Sequence, residues 1–246
     1  MALVGSNNEE KIWNYLNANL KNAYGVAGIM GNMKAESNLK PDNLQNTFET
    51  KLGYTDASYT KAVDSGKYTD FVYDKAGYGL VQWTYWSLKR DLYNYVKSKG
   101  KSIGDLETQL EFLCKQLREN YISVWNTCKN ATSVREASDA MLLKFERPAD
   151  QSIAVQKRRA SYGQAIYNKH AKHIVGTYLP ATPFKVKVLS NDWNIRTEGS
   201  MSGKIVGQTG QGTFTIIDVN SDGWGKLKSG AGWIFLRNPA FVTIMS

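Results

Sequence analysis

Cysteine and histidine are scarce in this 246-residue chain, and each scarcity closes off a class of function. Two cysteines, Cys114 and Cys128, are too few for a disulfide framework. Cys114 falls on an apolar helical face with Leu110, Leu113 and Leu117, which fits a buried free thiol. The two histidines, His170 and His173, have a spacing that suits two zinc ligands on one helical turn. No third histidine exists to complete the usual set, which argues against a zinc peptidase or amidase. No cofactor is expected. No apolar run is long enough to span a membrane, so no membrane insertion is expected. Residues 1–10 lack the basic and long apolar regions of a secretory signal. The expectation is a chain made in the cytoplasm that stays there or leaves by a route needing no signal.

What the chain does hold is a globular composition, 42% apolar and 22% charged, with material for one large or two ordinary domains. Its net charge of +9 is spread over both parts, +6 over residues 1–180 and +3 over 181–246. Both would be drawn to a polyanion. Nucleic acid is one candidate and an anionic bacterial cell wall another. No zinc-finger spacing or other nucleic-acid motif stands in a clear structural context, so no nucleic-acid partner is expected. Seven Trp and fourteen Tyr suit sugar binding as well as ordinary cores.

Residues up to about 170 read mostly as helices. Glu9 to Leu20 carries Ile12, Trp13, Leu16 and Leu20 on one face, with caps available from Ser6 to Asn8. A second helix covers Ala23 to Asn38. Asn38 to Ala76 is rich in Asn, Asp, Thr, Gly and Tyr and has no sustained helical period, which predicts an irregular lobe. Helical patterns resume over Trp86 to Lys99, Asp105 to Tyr121, Val134 to Phe145 and Ser152 to Tyr167. Residues 171–183 contain two prolines and no helical stripe, which suits a linker. Beyond it six short β-rich runs between Phe184 and Leu236, separated by turn residues, predict a small all-β barrel. The fold class is therefore α+β, a mainly helical domain over 1–170 followed by a β domain over 184–246.

Glu36 stands out within this frame. Val26, Ile29, Met30 and Met33 share a helical face, and Glu36 occupies its next position. Apolar neighbours would disfavour the ionised carboxyl and let it donate a proton near neutral pH. A stripe that simply ends, leaving a solvated glutamate, is the plainer reading. A second feature is Gly77-Tyr78-Gly79-Leu80-Val81-Gln82-Trp83-Thr84. As a short strand it would put Tyr78, Leu80 and Gln82 on one face, with two glycines allowing close approach of backbone or sugar. A buried strand with a glycine bulge is the alternative.

Together, Gly31-Asn32-Met33-Lys34-Ala35-Glu36-Ser37-Asn38, the run Gly77 to Thr84, and Phe145-Glu146-Arg147-Pro148-Ala149 occur in the order found in the phage tail lysozyme family. The resemblance covers about residues 8–168. It implies a lysozyme-like fold that cuts the glycan strands of peptidoglycan, with Glu36 as general acid. The Gly77 run also resembles the Gly-Leu-Met-Gln element that borders the cleft of lytic transglycosylases. On that basis Tyr78, Gln82 and the adjoining Trp83 are expected beside the substrate. A chain of this kind would act at the wall after release from the cell or as part of a phage tail.

A hydrolase of this type usually needs a second carboxylate. Glu49 is the first choice, because it follows the acid in the irregular lobe, and Asp74 the second. If neither faces Glu36, a lytic transglycosylase remains, in which one acid/base suffices and the substrate closes a 1,6-anhydro ring. Glu146-Arg147-Pro148 reads as structural, with Pro148 ending a helix. A non-catalytic wall-binding or tail-structural protein with a relic cleft is the reading from another class.

In the C-terminal part, Trp193-Asn194-Ile195-Arg196-Thr197, Gly223-Trp224-Gly225-Lys226-Leu227 and Gly232-Trp233-Ile234 resemble bacterial Src-homology-3-type wall-binding domains. The match covers about 184–240, with Trp193 replacing the common apolar residue before Asn194. It implies binding to wall peptides, without specifying contact residues.

Overall fold

The computed structural model of the chain describes residues 3–176, 179–220, 222–236 and 241–245, the side chains of 172–176 excepted. It divides into two compact units, Met1–Asn168 and Lys169–Ser246. His173 of the histidine pair, and 177–178 of the expected linker, lie outside the described side chains and residues.

The first unit is helical. Helix α1 (Asn8–Leu20) starts at Asn7, whose side chain accepts from the Glu10 amide, and buries Ile12, Trp13, Leu16 and Leu20. Helix α2 (Ala23–Ser37) is capped by Asn22 and buried on every side from Gly25 to Met33, so it is the central helix rather than an amphipathic surface one. Glycines at three-residue steps make this possible. A methyl group on Gly28 would lie 2.5 Å from Ala137 Cβ, and one on Gly31 would lie 2.5 Å from the Arg159 carbonyl oxygen. Neighbouring helices therefore rest directly on the α2 backbone.

The expected irregular lobe contains two short helices, α3 (Asn46–Leu52) and α4 (Asp56–Asp64). Seven and nine residues are too few to show a sustained period, and α4 is announced instead by a capping box between Thr55 and Ser58. Helices α5 (Trp86–Ser98) and α6 (Leu106–Glu119) lie where the periodicity places them. Helix α7 (Ile122–Asn130), absent from the sequence reading, follows. Helix α8 (Val134–Ala140) runs on into a π-helical segment, Met141–Glu146, closed by Arg147 in the left-handed conformation (φ 48°). Helix α9 (Ile153–Gly176) is longer than expected, so residues 171–176 are helical rather than linker. Cys114 and Cys128 are both free and buried, and burial pushes each thiol up to about 12.

The second unit carries one seven-stranded antiparallel sheet: β1 (Phe184–Val188), β2 (Asn194–Arg196), β3 (Ile205–Gln208), β4 (Gly212–Val219), β5 (Trp224–Leu227), β6 (Trp233–Phe235) and β7 (Val242–Met245). Their spatial order is β3-β2-β6-β5-β4-β1-β7. Six strands coincide with the β-rich runs; β7 follows Pro239 and was not anticipated. Alternate residues of β1, Phe184, Val186 and Val188, point into a core completed by Ile195, Ile216, Leu227, Ile234, Leu236 and Val242. Trp193 packs against that core, and its indole N–H donates to the Phe235 carbonyl at 2.9 Å.

Candidate active site

A groove in the helical unit has a volume of about 800 Å³. Glu36 from the end of α2 lines it, with Asn43, Gln45, Asn46 and Thr47 from the lobe, Val81 to Tyr85 and Leu88, Tyr121, and Phe145 to Ala149 from the end of the π-helical segment and the residues after it.

Close backbone contact decides where Glu36 sits. Gly31 of α2 faces Gly163 of α9: a methyl on Gly31 would lie 2.7 Å from the Gly163 nitrogen, and one on Gly163 would lie 2.6 Å from the Ala27 carbonyl. One turn before Gly163 this crossing brings Arg159 against the last turns of α2. Arg159 Nη1 donates to Asn32 Oδ1 at 3.1 Å and Nη2 to Glu36 Oε1 at 2.5 Å. Asn32 is fully buried, and its amide donates to the Gly28 and Ser138 carbonyls at 3.0 Å. Asn32 is thus fixed before it receives Arg159, and Arg159 in turn holds Glu36. The carboxylate is 19% exposed and open to the groove. An ion pair with arginine stands where the sequence stripe predicted apolar neighbours.

The run Gly77 to Thr84 is a tight hairpin and not a strand. Tyr78 and Trp83 exchange backbone hydrogen bonds at 3.1 and 3.0 Å around a turn that needs Gly79 and Gln82 in the left-handed region, φ 79° and 53°. Ser37 at the end of α2 donates to the Leu80 carbonyl at 2.9 Å, tying the hairpin to the Glu36 helix.

Because the run turns, its side chains separate, and two expected substrate contacts need correction. Tyr78 is wholly buried, hydrogen-bonded to Thr60 (2.6 Å) and packed on Tyr59 and Phe71; burial pushes its phenol above the usual range. Trp83 borders the groove but is 2% exposed, its indole N–H donating to Gln116 at 2.9 Å, so it supports the floor. Gln82 is part-exposed and lines the groove, its amide held by the Asn43 carbonyl and side chain at 3.1 and 3.0 Å.

Neither expected second carboxylate lines the groove. Asn46 and Thr47 of α3 do, and Glu49, in the same helix, is not among the lining residues. Asp74 is buried away from it. It accepts from Lys89 Nζ at 2.5 Å, from Tyr68 at 3.1 Å and from Tyr59. Lys89 is itself fully buried, also bonded to the Ala76 carbonyl at 2.8 Å and set over the Phe71 ring. Burial lowers the Lys89 ammonium, and Asp74 opposes that shift.

The groove's other carboxyl is Glu146, which the sequence reading took as structural. The π-helical segment, with the Arg147 amide reaching five residues back to the Leu142 carbonyl (2.8 Å), delivers Phe145, Glu146 and Arg147 to the groove. Phe145 packs edge-on against Tyr121 at 5.0 Å. Glu146 Oε1 is buried and has no hydrogen-bond partner within the protein. Burial holds this carboxyl well above the usual carboxylate range, the nearby Glu36 adds to the effect, and Arg159 offsets it. The Phe145-Glu146-Arg147-Pro148 motif was the available signal for it. Nothing in the sequence pointed to Arg159, which lies 123 residues from its partner.

A model of the phage tail lysozyme family matches residues 7–170. The chain belongs to the phage tail lysozyme family. Its helical unit is thus that of a lysozyme-like peptidoglycan hydrolase, and the matched span contains every residue of the groove. Beside the groove of this lysozyme-like unit stand exposed rings. Tyr85 lines the groove; the ring of Trp86, at the start of α5, lies 6.1 Å from that of Tyr85 and stacks on Tyr73 at 6.3 Å, and the Arg90 guanidinium lies over the Trp86 ring, 5.0 Å from its centroid.

Proposed function

We propose that the chain is an N-acetylmuramidase of endolysin or tail-lysin type, cutting peptidoglycan glycan strands with Glu36 as general acid. The observation that carries this reading is the position of Glu36. It is a part-exposed carboxyl on the wall of a groove, anchored through Arg159 and Asn32 to the protein interior. Protonating the glycosidic oxygen in that groove makes the departing sugar a neutral alcohol, while positive charge builds on the sugar ring left behind. Gln82 and Tyr85 flank the path of the strand.

The exposed ledge of Tyr85, Trp86 and Tyr73 suits the flat faces of further sugar rings. Trp86→Ala is expected to weaken binding of soluble glycan oligomers roughly two- to tenfold, the range of about 0.5–1.5 kcal/mol typical of aromatic contacts. Titration calorimetry checks it, and unchanged affinity removes the ledge from the substrate path.

The β unit is proposed to be a wall-binding module of the Src-homology-3 type, on the strength of its short antiparallel strands and the Gly-Trp runs at β5 and β6. Tethering it to the lysozyme unit raises the local concentration of enzyme on an insoluble substrate.

A second reading has its own support: Glu49 and Asp74 are not among the residues lining the groove. A lytic transglycosylase needs only Glu36. Mass spectrometry of digested walls separates the two. Reducing muramic acid ends are expected; 1,6-anhydro ends replace the muramidase with the transglycosylase, and intact strands reject both.

A further inference from the structure

We propose that Glu146 is a second functional carboxyl of the groove, sharing one proton with Glu36 beside Arg159. The inference rests on the reading of this groove as the site of glycan cleavage.

Charge counting is the first argument. Glu36 from α2 and Glu146 from the end of the π-helical segment border one groove, and Arg159 from α9 is bonded to Glu36 at 2.5 Å. Among the other groups lining it, Arg147, next to Glu146, is exposed to solvent. One guanidinium compensates one carboxylate. A second carboxylate with a buried, unpartnered oxygen is uncompensated, and a charge so placed favours taking up a proton. The pair therefore carries one proton between its two members in the resting enzyme. Burial and the Glu36 charge both act on Glu146 in this direction.

The second argument is the backbone. A π-helical turn is a less favourable way to end α8 than a further α-helical turn, and such turns are frequent at functional sites. Here it ends on Glu146, which borders the same groove as Glu36.

The step balances simply. The pair starts with one proton and a net charge of −1, against +1 on Arg159. Glu36 passes a proton to the glycosidic oxygen as the bond to the anomeric carbon breaks, leaving both carboxyls ionised. Water adds its oxygen to the anomeric carbon and returns its proton to the pair. Glu146 thereby keeps Glu36 supplied with a proton at a pH where an isolated carboxyl has lost it.

The test is the pH dependence of kcat/KM on soluble glycan oligomers for the full chain and its Glu146→Gln variant. With the pair intact, the last proton leaves at raised pH, so activity persists upward and then falls. In Glu146→Gln the proton rests on Glu36 beside a neutral amide. The descending limb moves to lower pH by about one unit, a roughly tenfold loss at a fixed pH on that limb. Glu146→Asp moves the limb back toward the wild-type position. Side-chain 13C NMR of labelled glutamates gives a readout independent of turnover: two coupled steps in the wild type, one in Glu146→Gln. An unmoved limb overturns the proposal. So does uniform loss at every pH that Glu146→Asp does not relieve, which is the signature of a purely structural residue. If Glu36→Gln remains fully active, the acid assignment fails by itself, while the NMR titration still decides whether a proton is shared.

Discussion

Glu36→Gln is expected to lower the clearing of purified walls by about 10²–10⁴-fold, the usual contribution of a positioned general acid, with sedimentation onto walls unchanged. The substitution is a narrow one. An amide oxygen still accepts the hydrogen bond from Arg159 that fixes this side chain, so Asn32 and Ser138 keep their places. What disappears is the transferable proton. Turbidity loss of a wall suspension measures the first quantity and co-sedimentation the second. Undiminished clearing by a correctly folded variant excludes Glu36 as the acid. Wild-type protein that binds walls and never clears them makes the chain a binding protein with a relic cleft.

Asp74→Ala should be the most damaging single change to stability. It strands the Lys89 ammonium, whose side chain has no solvent exposure, beside an aromatic cluster. Removing one partner of a buried ion pair costs about 3–5 kcal/mol because the remaining charge is uncompensated. Against a total stability of about 5–15 kcal/mol, much of the folded population is at risk. Denaturant unfolding gives the loss directly. The double variant Asp74→Ala, Lys89→Met removes the stranded charge and is expected to recover most of it. Activity should return with the fold in that double variant, because Asp74 lies away from the groove. A stable double variant without activity would return Asp74 to the catalytic candidates.

The long helices and six of the seven strands were legible because each shows its own period over enough residues, 3.6 in α1, α5 and α6 and two in β1. Helices α3 and α4 were hidden by shortness, and the end of α9 by a linker-like composition. Glu36 was legible from its position on a helical face and from the motif around it. Its partners were not, because Arg159 is brought there by the crossing of Gly31 and Gly163, a long-range steric fact that no local pattern records. The hairpin misled for a local reason. Gln82 adopts a positive φ, so alternation fails between Tyr78 and Gln82 and the aromatic rings turn inward. Glu49 was proposed by sequence order alone, and it is not among the residues that line the groove.

The π-helical segment makes the carboxyl pair depend on residue count as well as residue type. Between Met141 and Glu146 the chain takes a wider turn than an α-helix, accommodating one extra residue without lengthening α8. Loss of one residue there can be absorbed by a return to α-helical geometry, whereas a residue gained or lost in the α-helical turns before it swings Glu146 by about 100°. The place of Glu146 on the groove it shares with Glu36 is in that sense a matter of register, open to disruption by a shift in α8 that leaves both glutamates in the chain.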